Sequence, residues 1–167
     1  MKGLIISADG FEDEELTYPY RRLQEEGIEI VLAAPSSGEI RGKHGYSVTV
    51  DRKLDEIDPR NFDFLVLPGG KAPQELRKNQ KVLEISKHFF REDKPVAAIC
   101  HGPQVLISAD LLKNKTATCY RGVKKELLKV GADYRDEEVV VDGNLITSRE
   151  PPDLPAFMRE LLKKIKG

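Results

Sequence analysis

Cys100 carries the densest chemistry in the chain. It closes an apolar run, Val96-Ala97-Ala98-Ile99, and is followed by His101-Gly102-Pro103 and a helix-like stretch beginning at Gln104. A thiol therefore sits where a buried strand turns into a helix. Ala98 and Gly102, two residues before and after it, are small, and small-x-nucleophile-x-small is the steric pattern of a nucleophile elbow. A helix N-terminus at the sulfur favours thiolate over thiol. His101 is a base within reach along the chain, or a polar cap on the helix.

Two other segments offer partners. Gly69-Gly70 follows the apolar run Phe64-Leu65-Val66-Leu67; it is either a plain glycine turn or a turn whose N–H groups, with that of His101, form an oxyanion hole. Glu12, after Gly10-Phe11, is either a carboxyl beside the thiol or an acid at a helix N-terminus, the role that suits Asp13, Glu14 and Glu15. His44 lies in a Gly-flanked hairpin and is expected to be exposed. His88 is expected on a helix surface. No His, Cys or acid cluster has metal-ligand spacing, and no phosphate loop appears.

These residues need a scaffold. Short apolar segments at 4–8, 28–34, 62–67 and 95–99 read as buried strands. Helical patterns occupy 12–26 with Pro19 bending or interrupting it, 73–90 broken near Asn79, 123–130, and 153–166 capped by Asp153. Residues 39–50 and 138–148 read as hairpins, the second turning at Asp142-Gly143; 54–57 reads as a short helix and 116–119 as a short strand. Apolar strands alternating with helices specify an α/β fold with a mainly parallel sheet covered on both faces. Ligands in such sheets bind beyond the carboxyl ends of the strands, where Glu12, Gly70 and Cys100 fall.

The chain has 167 residues, a length for one domain spanning 1–167. Net charge is −1, with 27 basic and 28 acidic residues, and no basic block points to nucleic acid. No apolar run approaches membrane-spanning length. Without a signal peptide, two cysteines imply reduced thiols and a cytoplasmic setting rather than a disulfide framework. High charge with two Met and two Cys hints at a thermophile.

The ordered set Phe11-Glu12-Asp13, Glu15-Leu16, Tyr18-Pro19-Tyr20, Gly42-Lys43-His44-Gly45-Tyr46, Leu65-Val66-Leu67-Pro68-Gly69-Gly70, Ala72-Pro73, Ile99-Cys100-His101-Gly102-Pro103 and Val139-Val140-Val141-Asp142-Gly143-Asn144 resembles the PfpI family of intracellular proteases and protein deglycases. That family belongs to the superfamily of the parkinsonism-associated deglycase and is related to class I glutamine amidotransferases. The resemblance implies a flavodoxin-like three-layer sandwich. It also implies Cys100 as nucleophile, His101 as its partner, Glu12 hydrogen-bonded to the thiol, backbone donors at Gly70 and His101, and Tyr120 lining the pocket. No cofactor is implied, and the partners would be further copies of the chain in a dimer or hexamer.

Close relatives supply a Glu from a neighbouring subunit at the position of Gln74, so the amide here weakens the case for a Cys-His-Glu peptidase triad. The function expected first is therefore a glyoxalase III or deglycase acting on methylglyoxal or early glycation adducts. An intracellular cysteine peptidase on the same residues is the alternative, and a redox sensor or chaperone-like stress protein is the reading from another class. A glutamine amidotransferase is disfavoured because no His follows His101.

Overall fold

The computed structural model describes residues 1–167. The elements run β1 (Lys2–Ile6), α1 (Asp13–Glu25), β2 (Glu29–Ala34), β3 (Glu39–Arg41), β4 (Ser47–Thr49), β5 (Arg52–Lys53), β6 (Phe64–Leu67), α2 (Ala72–Leu76), α3 (Gln80–Arg91) and β7 (Val96–Ile99). They continue with α4 (Pro103–Ser108), β8 (Thr116–Ala117), α5 (Lys124–Lys129), β9 (Asp133–Tyr134), β10 (Val140–Asp142), β11 (Leu145–Ser148) and α6 (Leu154–Lys166).

Seven strands form one sheet in the order β10-β11-β7-β6-β1-β2-β5. Every pairing in it is parallel except that of β10 with β11. Every residue of β6, β7 and β11 is buried, as is Gly3–Ile6 of β1. Strands covered on both faces have no solvent side to mark with polar residues, which is why they read as continuous apolar runs. Helices α1 and α6 pack together against β2, β7 and β11, and α3 packs on β6 and β7. Burial of each large aliphatic side chain in these layers stabilises the fold by roughly 1.5–3 kcal/mol. No helix is long and apolar enough to cross a membrane.

Local chemistry accounts for the departures from the sequence pattern. The helical stretch 73–90 divides because the Asn79 side chain accepts from the N–H groups of Lys81 and Val82, at 3.0 and 3.3 Å, and so starts α3 afresh. Pro19 does not interrupt α1, which runs through it with Pro19 buried. Asp153 stands at the N-cap position of α6, but its side chain makes no capping bond. Its carboxylate instead accepts from the backbone and guanidinium of Arg149 at 2.9–3.0 Å. His88 is not on a helix surface: it is buried, edge-on to Phe89, and its Nε2 has no partner. The strand expected over 116–119 stops at Ala117, because the Thr118 N–H is taken by Thr147 Oγ1 at 2.9 Å and the Tyr120 N–H by the Cys100 carbonyl at 2.9 Å.

Strand β1 passes so close to β6 that Gly3 has no room for a side chain: a methyl group there would lie 2.2 Å from Cζ of the buried Phe64 ring. Gly3→Ala is expected to lower stability by about 1–3 kcal/mol, the usual cost of overpacking a filled core. Urea unfolding of the two proteins, compared by midpoint at equal slope, measures it.

Candidate active site

Three loops meet at the carboxyl ends of β1, β6 and β7. The loop after β7 is a tight elbow. Cys100 has φ +63°, in the left-handed region that a side chain adopts at a cost of about 1–3 kcal/mol. Hydrogen bonds hold it there: its N–H donates to the Ser148 carbonyl at 3.0 Å, its carbonyl accepts from Tyr120, and the Gly102 N–H closes on the Ile99 carbonyl at 2.8 Å. A methyl group on Gly102 would stand 2.3 Å from the Leu67 carbonyl oxygen, so a side chain at that position is sterically excluded.

The backbone N–H groups of Gly70 and His101 point at the Cys100 sulfur. Gly70 has φ +86°, and a methyl group there would meet the Glu12 nitrogen at 2.3 Å. The turn is fixed by a bridge between Phe11 and Gly70 and by the Glu12 N–H donating to the Gly69 carbonyl at 3.1 Å. The two donors suit the oxyanion of a carbonyl under attack by the sulfur.

The carboxyl beside the thiol is Glu15, not Glu12. Glu15 is fully buried in α1, and its Oε1 accepts the Gly69 N–H at 2.8 Å. Its Oε2 is buried with no hydrogen-bond partner, and Glu15 and the Cys100 side chain both stand against Gly69. Glu12 faces the other way. Its Oε2 lies 2.7 Å from Lys43 Nζ and its Oε1 3.2 Å from His44 Nε2. The physical reason is helix phase. Glu15, Pro19 and Leu23 form the inward stripe of α1, whereas Glu12 precedes the first turn and meets the β3–β4 hairpin.

Burial pushes the Glu15 carboxyl up to about 8, against the pull of the Gly69 N–H. Burial, and then the Glu15 charge, hold the Cys100 thiol well above its ordinary value, against the pull of the Gly70 and His101 N–H groups. The two acids thus share a site in which burial works against a second negative charge while the N–H donors work for it.

His101 Nδ1 lies 3.3 Å from the sulfur, and its ring stacks on Tyr120 with centroids 4.9 Å apart. Burial, then the Lys43 charge, lower its basicity. Gln74 is exposed on α2 beside Glu75, Lys78 and Asn79, and the Cys100 sulfur is the one side-chain hydrogen-bond partner of the His101 ring within the molecule. No group of three or more His, Cys, Asp or Glu side chains is placed to hold a metal ion. Cys119 is buried away from the cluster, its thiol pushed up to about 12 by burial and then by Glu126.

The DJ-1/PfpI family matches residues 1–164. The chain belongs to the DJ-1/PfpI family. Relatives in that family include a deglycase of Pyrococcus abyssi, 55% identical over 99% of this chain and 100% of its own length, and the deglycase PfpI of Pyrococcus furiosus, 54% identical over the same shares. Among solved DJ-1/PfpI structures, Drosophila melanogaster DJ-1beta superposes with a TM-score of 0.92 at 28% identity, covering 98% of this chain and 89% of that one. A two-domain protein of Anabaena variabilis with DJ-1/ThiJ/PfpI-like and ferritin-like domains superposes with a TM-score of 0.97 at 40% identity. The match covers 99% of this chain and 48% of the Anabaena protein. The flavodoxin-like sandwich is thus the fold of this chain as of its relatives.

The Glu15 carboxyl makes stability depend on pH. Its proton is held to about 8 in the folded protein against 4.5 for an ordinary glutamate. Between those values the folded state binds more protons than the unfolded one, so stability is full below about 4.5 and falls as pH rises toward 8. Glu15→Gln is expected to flatten that fall by an amount on the order of a few kcal/mol. Urea unfolding at intervals from pH 5 to 8 measures it, and parallel profiles for the two proteins would overturn the assignment.

Proposed function

We propose that the protein is a cysteine-dependent deglycase of glyoxalase type, acting on early adducts of small α-oxo aldehydes such as methylglyoxal. The observation that carries this reading is Cys100 at φ +63° with the Glu15 carboxyl and the Gly70 and His101 N–H groups around its sulfur. The deglycase names borne by relatives at 54–55% identity over nearly the whole chain support it.

The chemistry asks for a nucleophile and a proton carrier, and the site holds both. The Cys100 sulfur displaces the amine from the hemiaminal carbon: the C–N bond breaks as the C–S bond forms, and the thiol proton leaves with the amine through Glu15 or His101. The resulting hydroxy-ketone thioether isomerises to a thioester as a proton moves from one carbon to the next, a transfer suited to a carboxyl held near pKa 8. Water then releases a 2-hydroxy acid and restores the thiol. No external oxidant or reductant enters this balance.

Peptide hydrolysis demands more of His101, which must protonate an amine while something orients it. Within one molecule its ring has the sulfur and the Tyr120 face, with no carboxylate behind it. This favours the aldehyde reaction over the peptidase one.

Cys100→Ser is expected to abolish recovery of free amine and release of 2-hydroxy acid from methylglyoxal-treated N-acetyl-lysine. Glu15→Gln is expected to slow it by roughly 10²–10⁴-fold, the usual worth of a proton-transfer group. Retention by Cys100→Ser of more than about a tenth of wild-type turnover, a loss of only ~1.4 kcal/mol, would exclude the nucleophile assignment.

A further inference from the structure

The segments that supply the site run directly into helices. Gly70 precedes α2, the Cys100-His101 elbow precedes α4, and Tyr120 precedes α5 by way of the single helical turn Arg121–Val123. The Arg77 guanidinium, at the end of α2, reaches both of the other helices. Its Nε donates to Ser108 Oγ of α4 at 2.8 Å. Its Nη1 donates to Glu126 Oε1 of α5 at 3.2 Å, and its Nη2 to Glu126 Oε2. Gln104 of α4 closes the figure, its Nε2 donating to Glu126 Oε1 at 3.2 Å. None of these side chains takes part in the mechanism above.

This is more than a surface ion pair. The Arg77 and Glu126 side chains are only 22% and 33% exposed. A two-pronged contact between guanidinium and carboxylate fixes direction as well as distance. Its reach ends on the site. The Gln104 N–H donates to the His101 carbonyl at 3.0 Å, and the Val123 N–H to the Tyr120 carbonyl at 2.8 Å. Gly122 backs the Tyr120 ring closely: a methyl group there would lie 3.1 Å from its Cε2. That ring lies on the His101 imidazole, 26° from parallel with centroids 4.9 Å apart. The imidazole's one side-chain hydrogen bond goes to the sulfur, so the stack is left to set the plane of its ring.

We propose that Arg77 is a positioning residue: by binding α4 and α5 at once it clamps the Tyr120 segment against the elbow, and so holds the Tyr120 ring on His101. A guanidinium suits the task, because the point charge of a lysine could not hold Ser108 and both Glu126 oxygens together. The inference rests on the reading of Cys100 and His101 as the reactive pair, but not on the substrate they act upon.

Carbon–proton NMR of the histidine Cε1–H groups tests it without any substrate. The chain has three histidines, His44, His88 and His101, and His101→Gln assigns the signal of the third. Tyr120→Ala gives the position of that signal when no ring lies over the imidazole. Arg77→Met keeps much of the side chain's bulk and removes the fork. It is expected to move the His101 signal toward its place in Tyr120→Ala, while the His44 and His88 signals stay at their wild-type positions. Arg77→Lys is expected to resemble Arg77→Met rather than the wild type. Turnover of methylglyoxal-treated N-acetyl-lysine by Arg77→Met is expected to fall by up to roughly 10²-fold, the loss that a small misplacement can bring. In the Tyr120→Ala background the same substitution is expected to cost little more, since the two residues act through one ring. If Arg77→Met unfolds, with all its histidine signals collapsing together, Glu126→Gln keeps the shape without the charge and is expected to move the His101 signal the same way. An unmoved His101 signal in a folded variant, or losses of turnover that simply multiply in the double variant, overturns the proposal. A wild type that turns over none of this substrate overturns the functional reading instead, and the NMR shift then decides the role of Arg77.

Discussion

Two buried acids compete for one negative charge, and the rest of the site is arranged around that competition. Glu15 and Cys100 lie together where burial opposes ionisation of either. The Gly69, Gly70 and His101 N–H groups favour charge on the pair. A site of this kind keeps a proton available over the range where an isolated glutamate has lost it. That serves a reaction in which a proton must leave the sulfur and reappear on nitrogen, carbon or oxygen in turn.

The glycines make this geometry possible. Gly69 would place a methyl group 2.5 Å from Glu15 Oε1 and 2.8 Å from the Cys100 Cβ. Any side chain there would drive the two acids apart. Gly70 turns with positive φ so that its N–H faces the sulfur, and Gly102 lets the chain leave the elbow beneath the end of β6. The strain of the left-handed Cys100 is carried by backbone hydrogen bonds from β11 and the segment at Tyr120.

Much of the scaffold was legible from the order of residues. The apolar runs 62–67 and 95–99 became β6 and β7, and the small residues around Cys100 located the elbow. The site's acid was misread, because Asp13, Glu14 and Glu15 look alike as first-turn acids. A finer signal was present: Glu15 shares the inward stripe of α1 with Pro19 and Leu23, and an acid on an apolar stripe has a reason to be there. The burial of His88 and the Arg149–Asp153 contact depend on packing between distant segments, to which a local pattern is blind. The upward push of burial on the thiol was equally out of reach, since it depends on the depth of the site.

The hydrogen bond from the Cys100 N–H to the Ser148 carbonyl has a consequence for how the chain comes off the ribosome. The elbow is completed by β11, which ends at residue 148 of 167 and lies beside β7 in parallel register. A parallel pairing across that much chain forms late, after loop closure has been overcome. Until β11 is made, the Cys100 N–H therefore lacks its Ser148 acceptor and the left-handed turn lacks one of the bonds that hold it. The last strand added to the sheet is thus a support of the elbow as well as of the sheet.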